Sequence, residues 1–235
     1  MMKEDSRAQR RFRRAARIVG MMRHPNVVVV HDTGQSDGLD YIVLESLDGQ
    51  TLGERSRLRG PLPMAEFAPL AQQLLSALQY VHERKVIHRD VSPDNVVLSK
   101  TWDGGEQLKI AQFGFSKDLG AATSSTTASE QRQIVASLTH VAPEQILEPE
   151  DVDHRVDIYG AGALFYRLLA GVPPFRAKSL AQLGGDILNA EPASLRSFVP
   201  ELPPGIEAAV LRSLAKKPDD RYQSAQAFAE ALAKH

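Results

Sequence analysis

An α+β fold is what this sequence predicts. Short β-branched runs are gathered in its first half, and long segments with apolar residues at helical spacing fill the rest. With 43% hydrophobic and 24% charged residues over 235 positions, the chain can bury a sizeable core, which excludes global disorder. No internal repeat and no Pro/Gly/Ser-rich linker divides it.

The elements follow in order. Ser6 to Arg23 is the first helix candidate, with Phe12, Ala15, Ala16, Val19 and Met22 at helical spacing. His24-Pro25-Asn26 ends it, because proline disfavours helix in the residue before it. Val27–Asp32 and Tyr41–Leu44 read as strands of a hairpin whose loop holds Gly34 and Gly38. Met64 to Arg84 carries Phe67, Leu70, Ala71, Leu74, Leu75, Leu78 and Val81, the apolar stripe of a long amphipathic helix. Val86-Ile87 and Val96–Leu98 are apolar runs flanking a charged segment, His88 to Asn95. A second hairpin is predicted from Val96 to Ile110, turning at Asp103-Gly104-Gly105. Thr123 to Ser129, with hydroxyls at six of seven positions, reads as a loop. Helices are then predicted over Val156–Ala170, Leu180–Ala190, Ile206–Lys216 and Ser224–Lys234, punctuated by Pro173-Pro174, Pro203-Pro204 and Pro218.

Composition removes several function classes. The 28 basic and 29 acidic side chains leave a net charge of −1, which argues against a surface devoted to nucleic acid. The absence of cysteine excludes disulfides, thiolate metal sites and cysteine nucleophiles, and no metal site is predicted. Apolar runs such as Val27–Val30 are too short to span a bilayer. The polar, Arg-rich N-terminus lacks the apolar core of a secretion signal. A cytoplasmic soluble protein is expected.

The segment His88-Arg89-Asp90-Val91-Ser92-Pro93-Asp94-Asn95 resembles the catalytic loop of protein kinases, H-R-D-x-x-x-x-N. Other motifs stand in the family's order. Phe113-Gly114 sits where D-F-G belongs, Ala142-Pro143-Glu144 matches A-P-E, and Asp157-Ile158-Tyr159-Gly160 matches the start of the central helix of the large lobe. Lys217-Pro218-Asp219-Asp220-Arg221-Tyr222 looks like the late segment whose Arg pairs with the A-P-E Glu, here Arg221 with Glu144. Upstream, Arg23-His24-Pro25-Asn26-Val27-Val28 resembles the turn after helix αC. The resemblance runs from about Arg10 to Leu232 and is to bacterial eukaryotic-like Ser/Thr kinases. It implies a kinase-like fold, with a residual small lobe (αC and a hairpin) over 1–45 and a mainly helical large lobe over 46–235. In the family the loop Asp accepts the substrate hydroxyl proton and the Asn holds Mg²⁺, roles that fall on Asp90 and Asn95.

Departures from the pattern shape the functional expectation. The Gly-rich loop and the strand bearing the phosphate-binding Lys do not appear, so the resemblance implies a truncated small lobe. A start further upstream would restore both. It would not restore three internal positions: Ala15 stands in place of the αC Glu, Gln112 in place of the D-F-G Asp, and Ser92 where these kinases carry a Lys. Mg²⁺ demands hard, charged oxygen donors, and a neutral amide is a poor substitute for a carboxylate. A catalytic base without metal or phosphate clamps is not a catalyst.

The expected function is therefore that of a pseudokinase, a scaffold or regulatory interaction module that needs no cofactor. The enzyme-class alternative is an active or atypical Ser/Thr kinase that uses ATP and Mg²⁺, with its missing strands supplied from elsewhere. A nucleic-acid-associated module is a third reading. It rests on the seven arginines between Arg7 and Arg23, which read equally as a solvated helix face or a contact for an acidic partner. By resemblance, Leu44 is the gatekeeper, Glu45 to Leu47 the hinge and Val97 the adenine floor of a vestigial site. His88 is expected to brace the Phe113 segment, and Asp90 to cap its own loop. Thr123, Ser124, Ser125, Thr126, Thr127 and Ser129 are candidate phosphosites on the activation segment, or simply a solvated loop. A partner, either a second copy or an acidic protein, is expected at residues 1–45, where Phe12, Val19, Met22, Val27–Val30 and Tyr41–Leu44 would form an apolar patch. No membrane contact is expected.

Overall fold

The computed structural model describes residues 16, 18–36, 39–113 and 138–235. Residues 18–20 are helical, and the chain leaves the helix before Pro25, as the proline requires. β1 (Val30–Ser36) and β2 (Leu39–Leu44) then form an antiparallel hairpin in which Thr33 faces Ile42 and Gly34 faces Tyr41.

The first strand lies three residues later than the expected Val27–Asp32. The reason is competition for the apolar run. Val27 makes a parallel bridge to Ile110, Val28 N–H donates to the Ile110 carbonyl at 3.0 Å, and Ile110 N–H donates to that of Asn26 at 2.9 Å. The Asn26 side chain adds a bond to the Leu108 carbonyl at 2.8 Å. The beginning of the run thus serves the second sheet, and only its end enters the hairpin.

That second sheet has the order β3 (Gly49–Thr51), β4 (Val96–Lys100), β5 (Glu106–Ile110), all antiparallel. The β4–β5 turn falls at Asp103-Gly104-Gly105 as predicted, with Gly104 in the left-handed region at φ 84°. β3 and the helix after it, α1 (Leu52–Arg59), are additions to the expected elements. Their signal was in the sequence. Thr51-x-x-Glu54 is a capping box, in which Glu54 N–H donates to Thr51 Oγ1 at 3.1 Å and Thr51 N–H to Glu54 Oε2 at 2.8 Å.

The helical body comprises α2 (Met64–Glu83), α3 (Pro143–Leu147), α4 (Arg155–Ala170), α5 (Leu180–Asn189), α6 (Pro204–Ser213) and α7 (Ala225–Leu232). α4 is buried along nearly its whole length and forms the axis of the core. Phe165 on α4 meets Phe67 of α2 edge-on at 5.3 Å and Phe228 of α7 at 5.5 Å. Gly171, at φ 72°, ends α4 in the left-handed conformation that favours glycine. α6 stops at Ser213 rather than Lys216, because Leu214 and Ala215 turn back with i→i−3 hydrogen bonds.

The expected apolar patch needs correction. Val19, Met22, Val27, Val28 and Val30 are buried, packed into the main core. The apolar side chains left exposed near them are Met21, Leu39, Tyr41, Val43 and Leu44, most of them on β2; Phe12 lies outside the described residues. Among the described residues no helix is long and apolar enough to cross a membrane.

Candidate functional site

The segment between α2 and β4 is held from below by one carboxylate. Asp157, in the first turn of α4 and fully buried, accepts from His88 N–H at 2.8 Å, Arg89 N–H at 2.7 Å and His82 Nε2 at 2.7 Å. Burial alone would raise its pKa. The hydrogen bond and charge of His82 and the backbone N–H of His88 oppose burial and hold it below the ordinary carboxylate value. His82 was not singled out in the sequence; a histidine in the last turn of a helix that precedes a charged loop was the available signal.

His88 is itself buried. Its Nε2 donates to the Ala111 carbonyl at 3.1 Å, its Nδ1 accepts from Asp90 N–H at 3.3 Å, and its ring lies 4.6 Å from that of Phe113. These contacts fit a neutral imidazole, and burial is what pushes its pKa below the ordinary value of 6.5. The expected brace between His88 and the Phe113 segment is present. Arg89 is carried at φ 66°, a strained conformation for a side-chain-bearing residue, and its carbonyl accepts from Gln145 Nε2 at 3.0 Å.

Asp90 and Asn95 come together. Asn95 Nδ2 donates to Asp90 Oδ2 at 2.7 Å and to the Asp90 carbonyl at 3.0 Å. Asn95 also anchors the start of the next segment, because its carbonyl accepts from Ala111 N–H at 2.9 Å. The loop is thus closed on itself, with Ser92 buried inside it.

Gln112 is exposed and sits at φ 51°, between buried Ala111 and buried Phe113. The left-handed region is better tolerated by Asp and Asn than by Gln. An open cavity of about 170 Å³ lies here, lined by Val19, Val28, Val30, Ile42, Leu44, Gln112 and Phe113. Of the positions that resemblance assigns to an adenine site, Leu44 alone lies in that lining. The Glu45 carboxylate accepts from Val29 N–H at 2.8 Å and from Lys109 Nζ at 2.6 Å. Val97 is half-buried in the middle of β4, facing Thr51 and Lys109 across the sheet, and Leu47 packs half-buried against the core.

The donor set does not fit Mg²⁺. Asn95 is kept, but Gln112 supplies a neutral amide where a second, charged oxygen donor is needed, and no cluster of three His, Asp or Glu side chains that could hold a metal occurs among the described residues. Ala15 and the candidate phosphosites Thr123, Ser124, Ser125, Thr126, Thr127 and Ser129 lie outside the described residues.

Farther out, Glu144 at the start of α3 meets Arg221 through two bonds of 2.6 and 2.7 Å. The pairing expected from the sequence is therefore made, and with Asp157 it ties the loop, α3, α4 and the segment before α7 into one scaffold.

Comparison with known proteins agrees with this architecture. A family profile described as "Protein kinase domain" matches residues 1–232. The serine/threonine-protein kinase PrkC of Bacillus subtilis is 32% identical over 222 residues, 94% of this chain and 33% of that protein. Serine/threonine-protein kinase PknB of Mycobacterium leprae is 32% identical over 219 residues, covering 92% and 34% respectively. The chain thus spans about a third of the length of these relatives. A crystal structure of Rad53 residues 1–466 with AMP-PNP superposes with a TM-score of 0.76 at 22% identity, over 94% of this chain and 54% of that one, a likeness of fold. A His-Arg-Asp loop held by Asp157, the Glu144–Arg221 pair and the profile match converge on one conclusion: the chain belongs to the protein kinase domain family.

Proposed function

We propose that this chain is a pseudokinase, a kinase-fold interaction module that keeps the framework of the catalytic loop without the groups that hold metal and phosphate. The observation that carries this reading is Gln112. It occupies the left-handed, exposed position beside Phe113, and supplies a neutral amide where charge neutralisation is the main task of phosphoryl transfer. Ser92, buried in the loop, offers no cation in place of the family's Lys. On this reading ATP and Mg²⁺ are not required, the protein acts in the cytoplasm, and residues 1–45 contribute to a protein interface, with exposed Leu39, Tyr41 and Val43 of β2 as its apolar part.

The test is incubation of the full chain with Mg²⁺ and γ-labelled ATP, alone and with a generic Ser/Thr substrate. No transfer is expected; transfer that vanishes in Asp90→Ala would sink the proposal.

A second reading, an active Ser/Thr protein kinase, has its own support. Asp90 and Asn95 are paired at 2.7 Å in an intact loop, and the relatives are named as Ser/Thr kinases. Those names speak more directly for this reading than for the first, and the same assay separates the two. The nucleic-acid reading gains no support, since of its seven arginines only Arg23 lies within the described residues, and Arg23 is engaged with the Gly20 and Met22 carbonyls.

A further inference from the structure

Where α1, the last turn of α4 and the end of the Asp90 loop meet, positive charge is left in excess. Arg57 of α1 reaches Asp94 at 3.9 Å, with both side chains more than half exposed. Asp94 is seated against the first turn of α1. A Cβ at Gly53 would run into its carboxylate, and Gly53 N–H donates to the Pro93 carbonyl at 2.9 Å. The last turn of α4 is fastened beside them, because Leu62 N–H, just after α1, donates to the Leu168 carbonyl at 2.7 Å.

Arg167 is the one residue between Val156 and Ala170 that is not buried. Burial of its stem is the largest influence holding its guanidinium below the ordinary value; Asp94 opposes this, and Arg57 adds repulsion. Among the described residues the guanidinium makes no hydrogen bond or ion pair, whereas Arg55 of the same neighbourhood is spent on Glu66 and Glu106. Asp94 thus pairs with Arg57, and Arg167 lies within reach of its charge without contacting it. A half-buried arginine beside a like charge gains most from a second oxyanion, which its planar fork can hold through two bonds.

We propose that Arg57 and Arg167, beside Asp94, form a binding site for an acidic side chain of a partner polypeptide, a carboxylate or a phosphorylated residue. The site adjoins the catalytic loop and does not depend on whether Asp90 transfers phosphate. A single acidic side chain suits it better than a polyanion, since the chain has a net charge of −1 and Asp94 stands within the site.

Fluorescence anisotropy on the full chain tests this with four labelled probes of equal length: a Glu/Gly peptide, its phosphoserine and lysine counterparts, and a single-stranded oligonucleotide. The Glu or phosphoserine peptide should bind, weaken with added salt and outcompete the lysine peptide; the tighter of the two acidic probes names the oxyanion. Arg57→Glu and Arg167→Glu should each weaken binding by about tenfold or more, the worth of one charge-assisted hydrogen bond. Asp94→Asn should tighten it, and Lys234→Glu should leave it unchanged. Should Arg167→Glu unfold, the exposed Arg57→Glu and Asp94→Asn still decide. Unaltered binding in Arg57→Glu, or tighter binding of the lysine peptide or the oligonucleotide, would overturn the proposal.

Discussion

Arg221 and Glu144, 77 residues apart in sequence, are joined by two parallel hydrogen bonds of 2.6 and 2.7 Å, with the arginine side chain completely buried. The other three donors of the guanidinium are also used, by the carbonyls of Ala215, Arg155 and Lys216 at 2.7, 3.0 and 2.9 Å. All five N–H groups of the fork thus have partners. The pair holds α3 against the start of α4 and the segment before α7.

Removing one partner of such a buried pair leaves an uncompensated charge, at a cost of roughly 3–5 kcal/mol. Arg221→Ala should lower stability by that amount in chemical denaturation. Arg221→Lys should also destabilise, since an ammonium cannot reproduce the fork. A loss below about 1 kcal/mol, the level of an exposed ion pair, would contradict the structural role.

Much of this architecture was legible because chemistry at short range forces it. Pro25 had to end the first helix, Asp103-Gly104-Gly105 had to turn, and the stripe from Phe67 to Val81 had to be buried. The Glu144–Arg221 pair was legible only through resemblance, since no local rule links residues so far apart. What stayed hidden was decided by competition between elements. Val27 and Val28 have strand character, yet Ile110 claims them for the second sheet. The same contacts bury the run that looked exposed. Glu45, given a hinge role by resemblance alone, shows another contact that no local rule announces: its carboxylate accepts from Lys109 Nζ and Val29 N–H.

The buried titratable groups give acid sensitivity in two stages. His88 has a folded pKa below the unfolded value, so its contribution is complete above about pH 6.5 and declines as pH falls below that and the buried ring must charge. Asp157 is likewise depressed. Its contribution is complete above the ordinary carboxylate value of 3.8 and is lost as pH falls through the lower folded value. Thermal midpoints measured from pH 8 to pH 3 should fall first below about 6.5 and again below about 4. In Asp157→Asn the second decline should shrink, while overall stability falls at every pH. A flat profile down to pH 4 would argue against a neutral buried His88.

Tyr159 supplies a test in the opposite direction. Its ring is buried under the Arg221 guanidinium, 4.9 Å from the ring centre, and its hydroxyl has no hydrogen-bond partner among the described residues. Burial pushes the phenol pKa well up, so the group stays neutral. Tyr159→Phe removes an unsatisfied polar atom and keeps the stacking. Stability should be unchanged or rise by up to about 1 kcal/mol; a loss beyond that would mean that the hydroxyl has a partner that matters.

Gln112 combines a conformational and a chemical consequence. At φ 51° a glutamine side chain costs roughly 1–2 kcal/mol relative to a residue free to adopt the left-handed region. Gln112→Gly should therefore stabilise the fold by about 1 kcal/mol. Gln112→Asp should be neutral or mildly stabilising, because Asp tolerates this region better than Gln. It also adds a carboxylate next to Ala111, whose N–H donates to the Asn95 carbonyl, so addition of Mg²⁺ should raise its melting temperature where the parent protein shows no shift. Phosphoryl transfer should still be absent from Gln112→Asp, because Ser92 and Ala15 leave the phosphates without the cation and the ion pair that position them. Metal-dependent transfer in Gln112→Asp would show that this one amide is the whole difference between the present chain and an active kinase.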